Sequence, residues 1–469
     1  MIQKKREPSM SALKMTAQER QAVFGLSSIL GLRMLGLFMV LPVFSLYAHQ
    51  LRGATPTLIG IAIGIYGLSQ AVFQIPFGAL SDRIGRKPVI ILGLMIFSVG
   101  SLLSAFAHSI TLMIIGRALQ GMGAIGSTLM AMMADLTRED QRTKAMAIAG
   151  ITIGFSFSFA MLIGPFLTQW INVNCLFGLA AILGLICIGL LETRVPTPIS
   201  SPWHSDTEPE WHSFFKLLGH PALAKLNVGI CFLHAIFTAS FVVIPISLRQ
   251  FNHLPTHQQW EVYLPSLLTA FILSLLSIGI AERKQLVKPF FLAGIATLAA
   301  SEIILLVAPH HLIFTMFGIG LFFTGFSLLE AFLPSLVSRT APAARKGSAL
   351  GIYSCSQFLG IFIGGVLGGW LFGKFSFTGV YLLCIGLALT WLIIAYAMQP
   401  PRYLVTQLWP IQPLDQSEWQ TVATQLTLIP GMVEISFVAE ENMAYLKMER
   451  STLKHPDFIR LKEQLQSES

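Results

Sequence analysis

Long apolar stretches alternate with short polar connections along most of the chain. Stretches of spanning length fall near 21–48, 57–80, 88–107, 110–135, 145–168 and 172–191, and again near 222–248, 259–281, 289–308, 311–338, 348–372 and 377–398. Crossing a hydrocarbon core of roughly 30 Å takes about 20 predominantly apolar residues in a helix, so each stretch reads as one crossing. The two sets of six are separated by a polar, Pro-containing connection over 192–221 that carries Asp206, Glu208 and Glu210. The pattern therefore divides the chain into an N-terminal segment (1–20), a six-helix half (21–191), a linker (192–221), a second six-helix half (222–401) and a tail (402–469).

The tail has a different rhythm. Short alternating runs and turn signals predict a strand at Tyr403 to Leu408, a helix at Ser417 to Leu428, strands at Val433 to Val438 and Met443 to Met448, and a last helix at Pro456 to Leu465. That βαββα order is most of a ferredoxin-like unit. The expected fold is an all-α polytopic membrane protein of twelve transmembrane helices in two halves, with a small α+β ferredoxin-like C-terminal domain.

Composition supports this division. Apolar residues make up 54% of the chain and charged residues only 12%, against about 25% charged in soluble domains, which excludes a soluble enzyme. The formal net charge is +8, but its placement argues for topology rather than nucleic acid. Twenty Lys and Arg fall in the N-terminus and alternate connections, whereas the opposite connections hold only Arg52, Arg249 and Lys374. Short cation-rich loops stay on the cytoplasmic side, so both termini are expected there. The tail carries 6 Lys and Arg and 9 Asp and Glu, leaving no basic stripe for nucleic acid. The basic start precedes a long apolar stretch without a small-residue cleavage site, so it reads as a retained segment, not a signal peptide. The five cysteines, Cys175, Cys187, Cys231, Cys355 and Cys384, lie in apolar runs without a metal-type spacing and read as small buried hydrophobes.

The halves echo each other at an offset of about 200 residues: Asp82-Arg83 answers to Glu282-Arg283, Thr137 to Thr340 and Trp170 to Trp370. An even number of spans per half sets the repeats in the same orientation, with a substrate path between them.

The connection after span two reads Gly78-Ala-Leu-Ser-Asp82-Arg83-Ile-Gly85-Arg86-Lys87. Gly85 permits a tight turn, Asp82 ends a helix, and Arg83, Arg86 and Lys87 sit where surface cations are favoured. This segment resembles the G-x-L-x-D-R-x-G-R-[RK] hallmark of the major facilitator superfamily. The resemblance implies an alternating-access transporter in which Asp82 and Arg86 form a cytoplasmic latch of the outward-facing state, joined by Asp135 at the end of span four. The N-terminus of span eleven, Gly347-Ser348-Ala349, would offer Asp82 free amides and a positive dipole end. In span four, Arg117-Ala-Leu-Gln-Gly-Met-Gly123 resembles the superfamily's R-x-x-Q-G-x-G motif, which makes Arg117 a candidate for proton coupling; the alternative is an Arg that snorkels to the outer surface. Span five keeps the Gly164-Pro165 bend of the superfamily's antiporters but has Thr168-Gln169 where they carry a glycine pair.

Two further charges lie inside spans, Arg33 in span one and Glu330 in span ten. Their depths from the cytoplasmic side, roughly 18 and 12 Å at 1.5 Å per residue, leave open that they face water, substrate or each other. A carboxyl in a largely apolar cavity is a candidate for binding and releasing protons, so Glu330 is the leading acid for coupling, with a static buried charge as the alternative. His234 in span seven is a candidate relay or a core histidine. Glu302 in span nine reads as structural. Phe155, Phe157, Phe159, Phe237, Phe241, Phe322, Phe323 and Phe326 suggest an aromatic cavity for hydrophobic or cationic compounds.

The stretches around Arg33, Glu330 and Gln357, together with the tail, further resemble the bacterial YajR-type group of that superfamily, whose tail is like a heavy-metal-associated domain. Here the tail has no Cys and His455 as its single His, so no metal is expected. The resemblance implies a multi-pass bacterial inner-membrane protein that uses the proton gradient without a cofactor. Its partners are small-molecule substrates, protons and the lipid bilayer, and nothing requires more than a monomer. Efflux of hydrophobic or cationic compounds is the leading expectation. Proton-coupled uptake and a membrane sensor with a signalling tail are the rivals.

Overall fold

The computed structural model describes residues 15–197, 218–342, 346–399, 404–410, 416–438, 443–449 and 452–460. Lys4, Lys5, Arg6 and Lys14, the acidic part of the linker, Arg345, and the end of the expected last helix lie outside them.

Eleven helical stretches among the described residues are long and apolar enough to cross a membrane: Ala17–Ala48, Pro56–Ile84, Arg86–Ala105, Ile110–Asp135, Lys144–Leu167, Val173–Arg194, Pro221–Gln250, Thr256–Arg283, Val287–Val307, Leu312–Thr340 and Lys346–Tyr396. We number these spans one to ten in order; the last stretch supplies span eleven and a further arm. It has 51 residues, about 76 Å if straight, more than twice a hydrocarbon core. Its helical path is interrupted at Ser376, with φ 57° and ψ −153°. The two arms, 346–375 and 377–396, are each long enough to cross, which is why the hydropathy pattern gives twelve segments and counting the kinked stretch as one gives eleven.

Two spans are discontinuous. Span one breaks between Phe38 and Leu41, and span four between Met122 and Gly126. Carbonyls freed by such breaks need partners inside a membrane, and the side chains that supply them at span four form part of the site below.

Caps fix the ends. Thr16 Oγ1 accepts from Glu19 N at 3.1 Å while the Glu19 carboxylate accepts from Thr16 N at 2.7 Å, a capping box that starts span one. Glu19 also accepts from Arg138 Nε at 2.9 Å, which ties the inner end of span one to the start of span five. At the outer ends, Thr55 and Ser109 cap spans two and four, and Arg52 pairs its backbone with His108 and Ile110.

Spans two and eleven meet along only part of their length. A Cβ built on Gly60 would lie 2.1 Å from Gly365 O, one on Gly64 2.8 Å from Phe362 O, and one on Gly67 2.4 Å from Phe358 O. These positions run from the outer end toward the middle. Further in, a Cβ on Gly78 meets only Ser127 at 3.8 Å, and Gly347 and Gly351 have nothing within 4 Å. The two spans therefore diverge toward the cytoplasmic side: the outer side is closed and the inner side is open.

The tail forms an antiparallel sheet of β1 (Leu404–Pro410), β2 (Met432–Val438) and β3 (Met443–Glu449) in the order β1-β3-β2, with a helix at Gln416–Thr427. Trp409, Leu426, Ala444, Leu446, Met448 and Phe458 form its core. The described elements fall short of a complete ferredoxin-like unit. Lys447 Nζ donates to Ala341 O at 3.0 Å, just beyond the inner end of span ten.

Two sequence expectations change. Cys175 is exposed rather than buried, because it sits on the outer rim of span six. Phe155 and Phe159 are 71% and 44% exposed and stack on each other at 6.2 Å. Four residues is about one helical turn, so the pair shares an outward face that Phe157, two residues from each, does not.

Candidate functional site

The cytoplasmic cluster is assembled by three segments. Gly85 has φ +94°, a region only glycine enters without strain, and this turn brings the start of span three back under the end of span two. Arg86 then donates to Asp82, to Ser81 Oγ at 2.7 Å, and through Nε to Asp135 Oδ2 at 3.0 Å. Arg83 and Lys87 flank the same turn, and Gly78 lies about two helical turns earlier within span two. Asp82 remains 57% exposed, and the expected contact with the N-terminus of span eleven is not made, since the two spans have diverged at this end.

Both cations inside the N-terminal half find their hydrogen-bond acceptors within it, although Arg33 Nε is buried without one. Arg33 is 1% exposed and donates to Gly123 O at 2.7 Å, Gln70 Oε1 at 2.9 Å and Tyr66 Oη at 3.3 Å. Gly123 lies in the break of span four, where its carbonyl accepts from Ile125 N at 3.0 Å and takes Arg33 as a second donor. Arg117 is 6% exposed, which does not fit the snorkelling alternative. Its Nε donates to Ala62 O at 3.3 Å, its Nη1 to Gln120 Oε1 at 2.6 Å, and its guanidinium lies 5.2 Å from the Tyr66 ring centroid. Tyr66 thus stands between two buried guanidinium groups. The structure does not bring Arg33 to Glu330.

Glu330 is placed with groups of the other half. Its side chain is 37% exposed in mid-span; His234 Nε2 lies 3.9 Å from Oε2. Gln357 Nε2 donates to Glu330 Oε1 at 3.3 Å and lies 2.9 Å from His234 Nε2. Spans seven, ten and eleven therefore converge on one carboxyl through an amide that can donate to both neighbours. Gln357 was not singled out from the sequence as a site residue. Its signal was the abundance of glycine and small residues around it, which permits span eleven to approach closely.

Above this trio the aromatic residues form the outer floor. Phe157 from span five lies 5.9 Å from Phe326 and 5.7 Å from Phe237, while Phe38 from span one lies 4.9 Å from Phe157. His234 is 5.6 Å from Phe326. Phe166 and Trp260 meet at 5.8 Å nearer the outer surface, so rings from both halves close that side. Gly164 lets span five press against the break in span one, since a Cβ there would fall 1.9 Å from Met39 O. Pro165 follows within the last helical turn.

No group of three or more metal-ligating side chains occurs among the described residues. The central groups offer hydrogen bonding, proton exchange and aromatic surface, which suits recognition of a small molecule.

Residues 26–281 and 226–419 match the Major Facilitator Superfamily. The chain is 44% identical over 440 residues to the inner membrane transport protein YajR of Escherichia coli K12, covering 94% of this chain and 96% of that one. It is 25% identical to the quinolone resistance protein NorA of Staphylococcus aureus, over 80% of this chain and 95% of NorA. Its fold is like that of a D-xylose-proton symporter, with a TM-score of 0.64 at 15% identity, covering 81% of this chain and 98% of that one. With its two halves, its cytoplasmic turn and this full-length likeness, the chain belongs to the major facilitator superfamily of membrane transporters.

Proposed function

We propose that the protein is a proton-coupled exporter of small hydrophobic or cationic compounds in the bacterial inner membrane, working by alternating access. The observation that carries this reading is the Glu330 carboxyl in mid-span, reached from the open inner side and held by Gln357 and His234 beneath a floor of phenylalanines. An ionised carboxylate there attracts a cation, and apolar rings favour a greasy one. The same carboxyl, once protonated, gives up that attraction. Proton and substrate then compete for one group, which couples their movements in opposite directions.

Asp82, Arg86 and Asp135 serve as the cytoplasmic latch. In this inner-open arrangement they hold one another, and in the outer-open one Asp82 faces the start of span eleven. Arg117 ties the first arm of span four to span two, and Arg33 ties span one to span two and to the break of span four. The tail has a structural or regulatory role, resting through Lys447 on the end of span ten. NorA's name favours efflux, while the symporter's fold is equally compatible with uptake.

The test is transport by everted vesicles with an imposed pH gradient, using a panel of fluorescent lipophilic cations. Gradient-driven accumulation that is lost in Glu330→Gln supports export by proton exchange. Movement in the opposite direction favours uptake, and flux that is unchanged in the variant removes Glu330 from the mechanism.

A further inference from the structure

A second acid lies in the C-terminal half, away from the central trio. Glu302 in span nine is 0% exposed. Its Oε1 lies 2.7 Å from Ser240 Oγ of span seven, whose single proton is shared between this oxygen and Ile236 O at 2.8 Å, and its Oε2 has no partner. Cys384 Sγ lies 3.5 Å from Ser240 Oγ. Tyr381 and Cys384 of the last arm are the other titratable groups facing Glu302. From span ten no charged group meets it among the described residues; the neighbouring Ser301 turns there instead and donates to Gly318 O at 2.9 Å. No lysine, arginine or histidine forms an ion pair or hydrogen bond with Glu302 among the described residues.

An ionised carboxylate in such surroundings would bear a large desolvation cost with only one hydroxyl to offset it. The unpartnered Oε2 is where a bound proton would sit. Ser240 is also six residues from His234 and three from Phe237 on span seven, so this pair and the central trio share one helix. The outer arm of span one, Leu41–Ala48, packs against that helix in the closed outer side, so an opening of the outer side would part the two.

We propose that Glu302, with Ser240, is a second proton-binding site, held as a neutral acid while the outer side is closed and exchanging its proton with the outside when that side opens. This does not rest on the role given to Glu330, which lies on the inner-open cavity. The test is infrared spectroscopy of the intact protein in lipid nanodiscs at neutral pH, reading the carbonyl stretch of protonated carboxyl groups. Glu302→Gln should delete one such band, Glu302→Asp should move it, and Ser240→Ala should raise its frequency as a hydrogen bond is lost. On transfer to deuterated buffer, the band should shift slowly in the wild-type protein and several-fold faster in Gly60→Ala samples whose outer opening is verified by spin-label distances. A carboxyl spectrum unaltered in both Glu302 variants overturns the bound proton, and equal exchange in the closed and opened samples overturns the outer route. Because the aspartate variant keeps the acid, loss of folding in the glutamine variant leaves the test intact.

Discussion

Adding a single methyl group at Gly60 should open the outer side. In the closed arrangement the new Cβ falls 2.1 Å from Gly365 O and 2.8 Å from Gly369 Cα. Ordinary C···O contacts lie at about 3.3–3.6 Å, so spans two and eleven must part by more than 1 Å at that level. Both obstructing atoms are backbone, and neither can move without its helix. Overpacking of this kind costs about 1–3 kcal/mol. Only the outer-closed state contains the contact, so the cost becomes a population shift of roughly 5- to 150-fold toward the outer-open state. The assay is a spin-label distance measurement between Thr57 and Lys374, at the outer ends of spans two and eleven, in a background with the five cysteines replaced. Gly60→Ala should lengthen the main distance, whereas Gly351→Ala, where a Cβ meets nothing within 4 Å, should not. A folded Gly60→Ala protein with the wild-type distance distribution would refute the reasoning.

Other predictions follow from the same geometry. Asp82→Asn should leave the protein inserted and folded but slow turnover, because the latch loses its charge; normal flux in that variant would sink the latch. Arg33→Met should destabilise the N-terminal half by about 1–3 kcal/mol for each buried acceptor left unpaired, read as a lowered thermal midpoint in detergent, and an unchanged midpoint would show that span four does not need this donor. Gln357→Leu should separate His234 from Glu330 and alter the pH profile of transport more than the affinity for substrate, whereas a profile identical to wild type would return Gln357 to packing. Arg138→Ala should leave the Glu19 carboxylate with its capping bond and the backbone N–H of residue 138 but without the guanidinium, and loosen the inner end of span one, checked by hydrogen exchange at residues 16–22.

The spans were legible in the sequence because a hydrocarbon core imposes length and apolarity on every crossing, and the cytoplasmic turn was legible because Gly85, Asp82 and Arg86 act over a few residues. The long last helix is a different case, since Ser376 bends the path with an ordinary residue that carries no breaker signal. Partners at long range were not legible. Arg33 and Glu330 lie at comparable depths along the sequence, yet depth fixes only one coordinate, and Arg33 turns to the carbonyl of Gly123 at the break of span four. That break is unannounced by any proline. Orientation around a helix was legible in principle: one turn separates Phe155 from Phe159, and the residue between them faces the other half. The convergence of His234, Glu330 and Gln357 depends on how three spans rotate against one another, and periodicity does not determine that.

The central claim is that the protonation of Glu330 drives the exchange between inner-open and outer-open states, and this can be tested without knowing a substrate. The distance between Thr57 and Lys374 is measured in lipid nanodiscs as a function of pH, in the wild-type protein and in Glu330→Gln. The account predicts that the fraction of outer-open molecules changes with pH in the wild type and becomes flat in the variant, while the same pH-dependent change in both would contradict it.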